Sequence, residues 1–550
     1  MKISCNILKK HIKDSDSIDF KDVWNKFTIR TAEVEGVTEV GKDIDGIVTG
    51  KILTCVNHPE SKKLHVLTVD VGDEVLQIVC GAPNVRVGMI GACIKVGGHI
   101  GGITIEPRPL VGIMSYGMMC SGKEIGISDD HSGIIEFPED TPVGVDIKKL
   151  FPIEDIIVEI DNKSLTHRPD LWGHYGIARE LSAIYDVPLK AQETYEIDKN
   201  LPKYDVEIKE PSKCYRYAAV EIDGIYEKKS PMWMQSLLVK CGGRPINAIV
   251  DITNYVMFAV GQPLHAFDKT HVSGEKIVVR NAKVGEELLL LDHNSIKLTT
   301  DDLVICDNEN AMALAGIRGG SKDSILPDTK GIVLEVANFP AASIRKTGKR
   351  FAEKTDASIR YEKGIDTNRV DEGLNLALSL IKEIFPESKI VKFADVYPVE
   401  TKKEEIDVSK NFLTTRLGKK IDDAVIKRIA ELDHLGVPYK SEKGKYQSFL
   451  FSKRGFDYVL SQVNGEKKED LVIENLELKE LADRVMETFA MEDKKDEIYN
   501  KVALAEKEGL GLKDTLMAVF KGYSDNLEYL SDNIDEILAS YNELAKGRVA

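Results

Sequence analysis

The stretch DITNYVMFAVGQPLHAFD (251–268) constrains this chain most. A β-branched, apolar run (Ile246, Ile249, Val250, Ile252) leads through Thr253-Asn254 into a second apolar segment. That segment stops at the turn Gly261-Gln262-Pro263, just before His265. A polar pair at one end and an imidazole at the other suit an apolar pocket that orients its ligand with few polar groups. A buried strand and helix with a satisfied core histidine explain the same residues. The spacing alone leaves both readings open.

Composition narrows the field. At 550 residues and 43% hydrophobic content the chain is expected to form about three to five globular domains. No run of eighteen apolar residues occurs, so no membrane span is expected, and the start MKISCNILKKHIK lacks the apolar core of a secretory signal. The eight cysteines are scattered without a CxxC pair, which points to a reducing, cytoplasmic setting and away from zinc or disulfides. A net charge of −16 argues against a chain coated in basic surface, and no DNA partner is expected.

Residues 1–40 read as an α/β cap, with helical periodicity around Ile7-Leu8-His11 and a strand-like Phe27-Thr28-Ile29. Residues 41–150 change to short β-runs punctuated by glycine, such as LHVLTVDVG and GACIKVGG, the pattern of a small OB-like barrel. Such barrels bind single-stranded nucleic acid or oligosaccharide. A linker helix region follows over 151–207, with Ile177, Leu181 and Ile184 at helical spacing. His167, Asp170 and His174 have the residue types of a metal site, but Arg168-Pro169 interrupt them and no second cluster completes one, so no metal is expected.

The largest domain spans 208–395. MWMQSLLVKCGGRPINAIVDITNYV reads as helix, Gly-rich turn, strand. MALAGIRGG (312–320) sets small residues where a backbone approaches something closely. GIVLEVANF (331–339) reads as a strand with Glu335 inside an apolar run. A carboxylate there is costly unless hydrogen-bonded, or else it points outward on a half-exposed strand. Residues 396–450 suggest a partial small α/β domain. Residues 451–550 suggest a charged helical bundle of unknown role, with Leu527, Leu530, Ile534, Ile537 and Leu538 at helical spacing.

Several ordered words then point to a family. HPESKKLHV, IVCGAPNV and SYGMMCSGKEIGI resemble the tRNA-binding domain of bacterial phenylalanyl-tRNA synthetase β subunits. The phrase NKSLTHRPDLWGHYGIARE resembles that family's linker. TNYVMFAVGQPLHAFD, LAGIRGG, VLEVANF and TDASIRYEKGID together resemble its editing module. The resemblance covers residues 1 to about 395. It stops where the family's proline-tryptophan-arginine phrase and acidic metal-binding run should follow.

The resemblance implies a multidomain α+β protein that binds tRNA(Phe) and hydrolyses mischarged tyrosyl-tRNA(Phe), while a separate α subunit performs the ligation with ATP and Mg²⁺. No cofactor is expected on this chain. By the same carry-over Glu335 accepts the tyrosine hydroxyl, and Ala315-Gly316 wall the ring. His265, Asn254 and Thr253 surround the ester and terminal adenosine as the catalytic set, with Thr355 completing the substrate site. Lys62 and Lys63 suit phosphate contacts on the tRNA, and an ordinary solvated loop explains the same pair. A free-standing tRNA deacylase and a non-catalytic tRNA-binding or regulatory protein are the competing readings.

Overall fold

The structure, a computed structural model, describes residues 1–400 apart from 129, 193, 292, 322, 323 and 399. It also describes the backbone of strands Glu405–Ser409, Gly436–Lys440 and Tyr446–Ser452, and helical residues at 415, 479, 482, 483, 498, 499, 501–503 and 505. Most of the expected small domain over 396–450 and of the helical tail over 451–550 therefore lies outside the described residues. Contacts divide the chain into two units, and every residue discussed below belongs to the unit containing Met1–Ile406.

The N-terminal cap and the linker share one core. Strand Asp155–Ile160 lies between Lys2–Ser4 and Val34–Val40, antiparallel to both. Helices Cys5–His11, Val23–Arg30 and His174–Tyr185 cover this sheet through Leu8, Trp24, Phe27, Ile177 and Leu181. The strand expected at Phe27-Thr28-Ile29 is instead the end of a helix. Val23, Trp24 and Phe27 form its buried stripe while Ile29 faces water, a three-and-four-residue spacing that a three-residue window hides.

Next comes an antiparallel sheet in the order Gly117–Met119, Ile90–Ile100, Asp45–Asn57, His65–Asp70, Val75–Cys80. It closes on itself: Tyr116 N donates to Gln77 O (2.9 Å) and Val79 N to Ser115 Oγ (3.0 Å). Closure removes the open edges a flat sheet would leave. Ile52, Leu67, Val69, Ile78 and Cys93 fill the interior.

The third module is a four-stranded antiparallel sheet, ordered Leu264–Asp268, Gly331–Asn338, Arg216–Asp223, Lys389–Val396. One face carries Ala218, Val220, Ala266, Leu334 and Val336 beneath helices Met232–Lys240, Ala248–Val260 and Arg369–Ile384. The other carries Tyr217, Ala219, Phe267, Val333 and Ala337 against a second sheet built from 205–208, 276–281, 303–306, 311–314 and 318–319. With both faces covered, all eight residues of Gly331–Asn338 are buried, which is why that strand is an almost unbroken apolar run.

The strand expected within INAIVDITNYV is a helix, Ala248–Val260. Asn247 caps it by accepting from Val250 N (3.0 Å), and Gly261 ends it at φ 78°. Ile249, Ile252, Val256 and Val260 all pack on the sheet, and that burial outweighs the strand preference of β-branched residues. Among the described residues, no helix is long and apolar enough to cross a membrane.

Candidate functional site

Glu335 lies on the central strand Gly331–Asn338, and its register partner across the ladder is His265 on the edge strand Leu264–Asp268. Directly opposed residues of an antiparallel pair project from the same face of the sheet. The carboxylate and the imidazole, 70 residues apart in sequence, are thus neighbours on the face that meets the second sheet. An outward-pointing Glu335 is excluded, because the second sheet covers that face and leaves the residue 5% exposed.

Tyr217, on the neighbouring strand, donates its hydroxyl to Glu335 Oε2 at 3.1 Å. Burial pushes the carboxyl up to about 8, and the Tyr217 bond opposes only part of that rise. Near neutral pH the group is therefore mostly protonated. It offers one O–H and one carbonyl oxygen in an apolar setting.

His265 keeps part of its surface accessible. The buried surroundings of its ring lower it to about 4. The imidazole is neutral at pH 7. It stands edge-on to Phe267, with ring centroids 4.6 Å apart, and Gly319 backs it so closely that a Cβ there would lie 2.6 Å from His265 Cε1.

Ala315 and Gly316 form the bend between strands Ala311–Leu314 and Arg318–Gly319. Gly316 sits at φ 65°, and a Cβ on it would meet Ile344, Phe339 and Tyr361 at 2.9 to 3.0 Å. Thr355 caps the short helix Asp356–Tyr361 by accepting from Ser358 N, and it donates its hydroxyl to Ile317 O (2.8 Å) in the same bend. Tyr361 then donates to Ala337 O (2.9 Å), on the Glu335 strand itself. Glu335, Ala315, Gly316 and Thr355 are in this way joined through one set of packed elements.

Thr253 and Asn254 are placed differently. Their helix packs against the sheet face of Leu334 and Val336, opposite the one bearing Glu335, and Thr253 donates its hydroxyl to Val250 O (2.7 Å). None of the described hydrogen bonds joins either residue to Glu335 or His265. Two cavities, of about 260 Å³ beside Tyr226 and Phe385 and about 60 Å³ beside Trp172 and Arg360, lie elsewhere and are lined by neither site residue.

Lys62 and Lys63 are exposed on the loop between strands Asp45–Asn57 and His65–Asp70. His58 anchors that loop, its Nε2 donating to Leu110 O (3.3 Å). Two of the three candidate metal residues of the linker, Asp170 and His174, have other partners. Asp170 takes a bidentate contact from Arg168 (2.9 and 2.8 Å), while His174 accepts from Ser4 N (2.9 Å) and donates to Phe258 O (2.6 Å).

The sequence motifs include Gly319 but single out neither Tyr217 nor Tyr361. Tyr217 shares the alternation of RYAAVEID with Ala219, the other register partner of Glu335, so its face was implied once that strand was paired. Tyr361 stood inside TDASIRYEKGID, where only Thr355 was singled out.

Comparison with known proteins agrees with this layout. A family model for a putative tRNA binding domain matches residues 47–146, which contain the closed sheet, and one for the B3/4 domain matches 213–386, which contain Glu335 and His265. The phenylalanine–tRNA ligase beta subunit of Clostridium acetobutylicum is 36% identical over 453 residues, covering 80% of this chain and 56% of that protein. The Solibacter usitatus subunit is 38% identical over 413 residues (74% and 52%), and the Yersinia pestis subunit 39% over 392 (70% and 48%). The chain spans about half the length of these relatives. Over the matched residues, with a tRNA-binding domain followed by a B3/4 domain, the chain is homologous to phenylalanine–tRNA ligase beta subunits.

Proposed function

We propose that the chain binds tRNA(Phe) and hydrolyses tyrosyl-tRNA(Phe), in support of phenylalanylation by a separate α subunit that supplies the ATP and Mg²⁺ chemistry. The observation that carries this reading is the in-register pairing of a buried, largely protonated Glu335 with a neutral, partly accessible His265. Phenylalanine and tyrosine differ by one hydroxyl. An apolar pocket that has to reject the larger of the two gains only about a hundredfold. A site built to hydrogen-bond the hydroxyl rejects the phenyl ring by about 10⁴ or more, since its own polar group would be left unpaired.

In this reading the phenol bonds to Glu335, which offers both a donor and an acceptor. The ring lies over Ala315-Gly316, held by Thr355. His265 uses a free imidazole lone pair to orient the attacking water, which reaches it from the accessible side. Thr253 and Asn254 are left out of this set, because their helix lies on the other face of the sheet. Lys62 and Lys63 contact phosphates.

The test is loss of labelled amino acid from tyrosyl-tRNA(Phe) incubated with purified chain, alone and with a candidate α subunit, followed by co-purification of the two. Hydrolysis well above the spontaneous rate is expected. No acceleration in either mixture would end the proposal.

A further inference from the structure

Helix Ala341–Phe351, sequence AASIRKTGKRF, carries Arg345, Lys346, Lys349 and Arg350 and no acidic residue, in a chain of net charge −16. Its buried side is Ile344 and Thr347. The cations form two rows, each one turn apart. Lys346 pairs with Asp301 (2.7 Å), and Arg350 with the buried Asp302, which also accepts from Thr347 Oγ1. Arg345 and Lys349 form the other row and have no such partner among the described residues, and neither does Lys354 just beyond the helix end. All three are exposed.

Like charges at this spacing repel. The helix dipole favours cations in the last turn, which accounts for Lys349 but not for Arg345 in the second turn or Lys354 outside the helix. An anionic partner from outside the chain would relieve that repulsion.

Position says what it is. The basic segment is fastened at both ends to the bend that walls the candidate site. Ile344, next to Arg345, packs over Gly316, and Thr355, next to Lys354, donates to Ile317 O. Between them Glu353 pairs with Arg318 of the same bend (2.8 Å). We infer that Arg345, Lys349 and Lys354 form a phosphate track that holds the single-stranded 3′ end of a tRNA as it enters the Glu335–His265 site. This rests on the reading above, and it adds an RNA contact distinct from the Lys62-Lys63 loop.

The test uses the full chain carrying Arg345→Gln, Lys349→Gln and Lys354→Gln together. Glutamine has nearly the helix propensity of lysine and arginine, and none of the three side chains is packed. Binding of a tRNA acceptor-stem minihelix with a single-stranded 3′ tail is followed by fluorescence anisotropy across a salt series. The slope of log affinity against log salt should become shallower by about 2 in the triple variant, at about 0.7 per single-strand phosphate contact. A blunt minihelix without the tail should bind variant and unaltered chain alike. A wild-type slope in the triple variant, with the salt dependence abolished instead by Lys62→Gln/Lys63→Gln, would overturn the track, and so would equal losses on the tailed and blunt probes. Because the readout is binding, a chain that holds the tail here yet hydrolyses nothing refutes the deacylase reading and leaves this one standing.

Discussion

Glu335 gives the B3/4 domain a pH signature that can be worked out in advance. Unfolded, the carboxyl loses its proton near 4.5, whereas folded it keeps it to about 8. In between, the folded state binds more protons, so stability falls as pH rises through that window and levels off above it. At about 1.4 kcal/mol per tenfold, the full difference amounts to about 5 kcal/mol, and penetration of water on ionisation reduces this to about 2–5 kcal/mol.

Glu335→Gln keeps the shape and leaves an oxygen to accept from Tyr217, but it has nothing to ionise. The variant should match the unaltered protein near pH 5 and be about 2–5 kcal/mol more stable at pH 8.5. Because a chain of several domains does not unfold in one step, the readout is amide exchange of peptides covering 331–338, corrected for intrinsic rates. If the two proteins lose protection in parallel as pH rises, Glu335 is ionised in the fold and its environment has been misread.

Further outcomes follow from the same geometry. Gly316→Ala forces a Cβ to 2.9 Å from Ile344 and Phe339 at φ 65°, so it should cost about 2–4 kcal/mol in protection of the same peptides, and no change would mean the wall is loose. Arg168→Met removes the cation shared by Asp170 and Glu180, both essentially fully buried, and leaves Asp170 paired with Arg179 (2.7 Å). The linker core should lose about 3–5 kcal/mol, seen as early exchange of 174–185, and unchanged protection there would contradict the ion network. Because the His265 imidazole is lowered to about 4, deacylation should show no inflection from it between pH 5.5 and 7.5. A rise centred near 6.5 that vanishes in His265→Asn would contradict that.

The sequence made the chemistry of the site easier to read than its architecture. A carboxylate between Leu334 and Val336 is conspicuous in one dimension, because burying it needs a reason. Alternation alone could not say whether its face meets solvent or protein, since that depends on the strands 276–281, 303–306 and 311–314 coming to lie over it. Register is equally non-local. Nothing near His265 announces that it opposes Glu335, and this follows only from the pairing of two strands about 70 residues apart. The helix Ala248–Val260 is masked in the sequence by β-branched residues that favour strands, while the cap at Asn247 and the stop at Gly261 mark a helix. Those two local signals, together with burial against the sheet, outweigh propensity. Thr253 and Asn254 show the same limit, since their distance from Glu335 depends on which side of the sheet the helix packs.

The most direct measurement compares Glu335→Ala with unaltered chain on tyrosyl-tRNA(Phe) and phenylalanyl-tRNA(Phe), taking the ratio of the two hydrolysis rates. The ratio should fall by about a hundredfold or more, chiefly through slower loss of tyrosine. A folded variant that keeps the original ratio would show that the buried carboxyl does not read the hydroxyl.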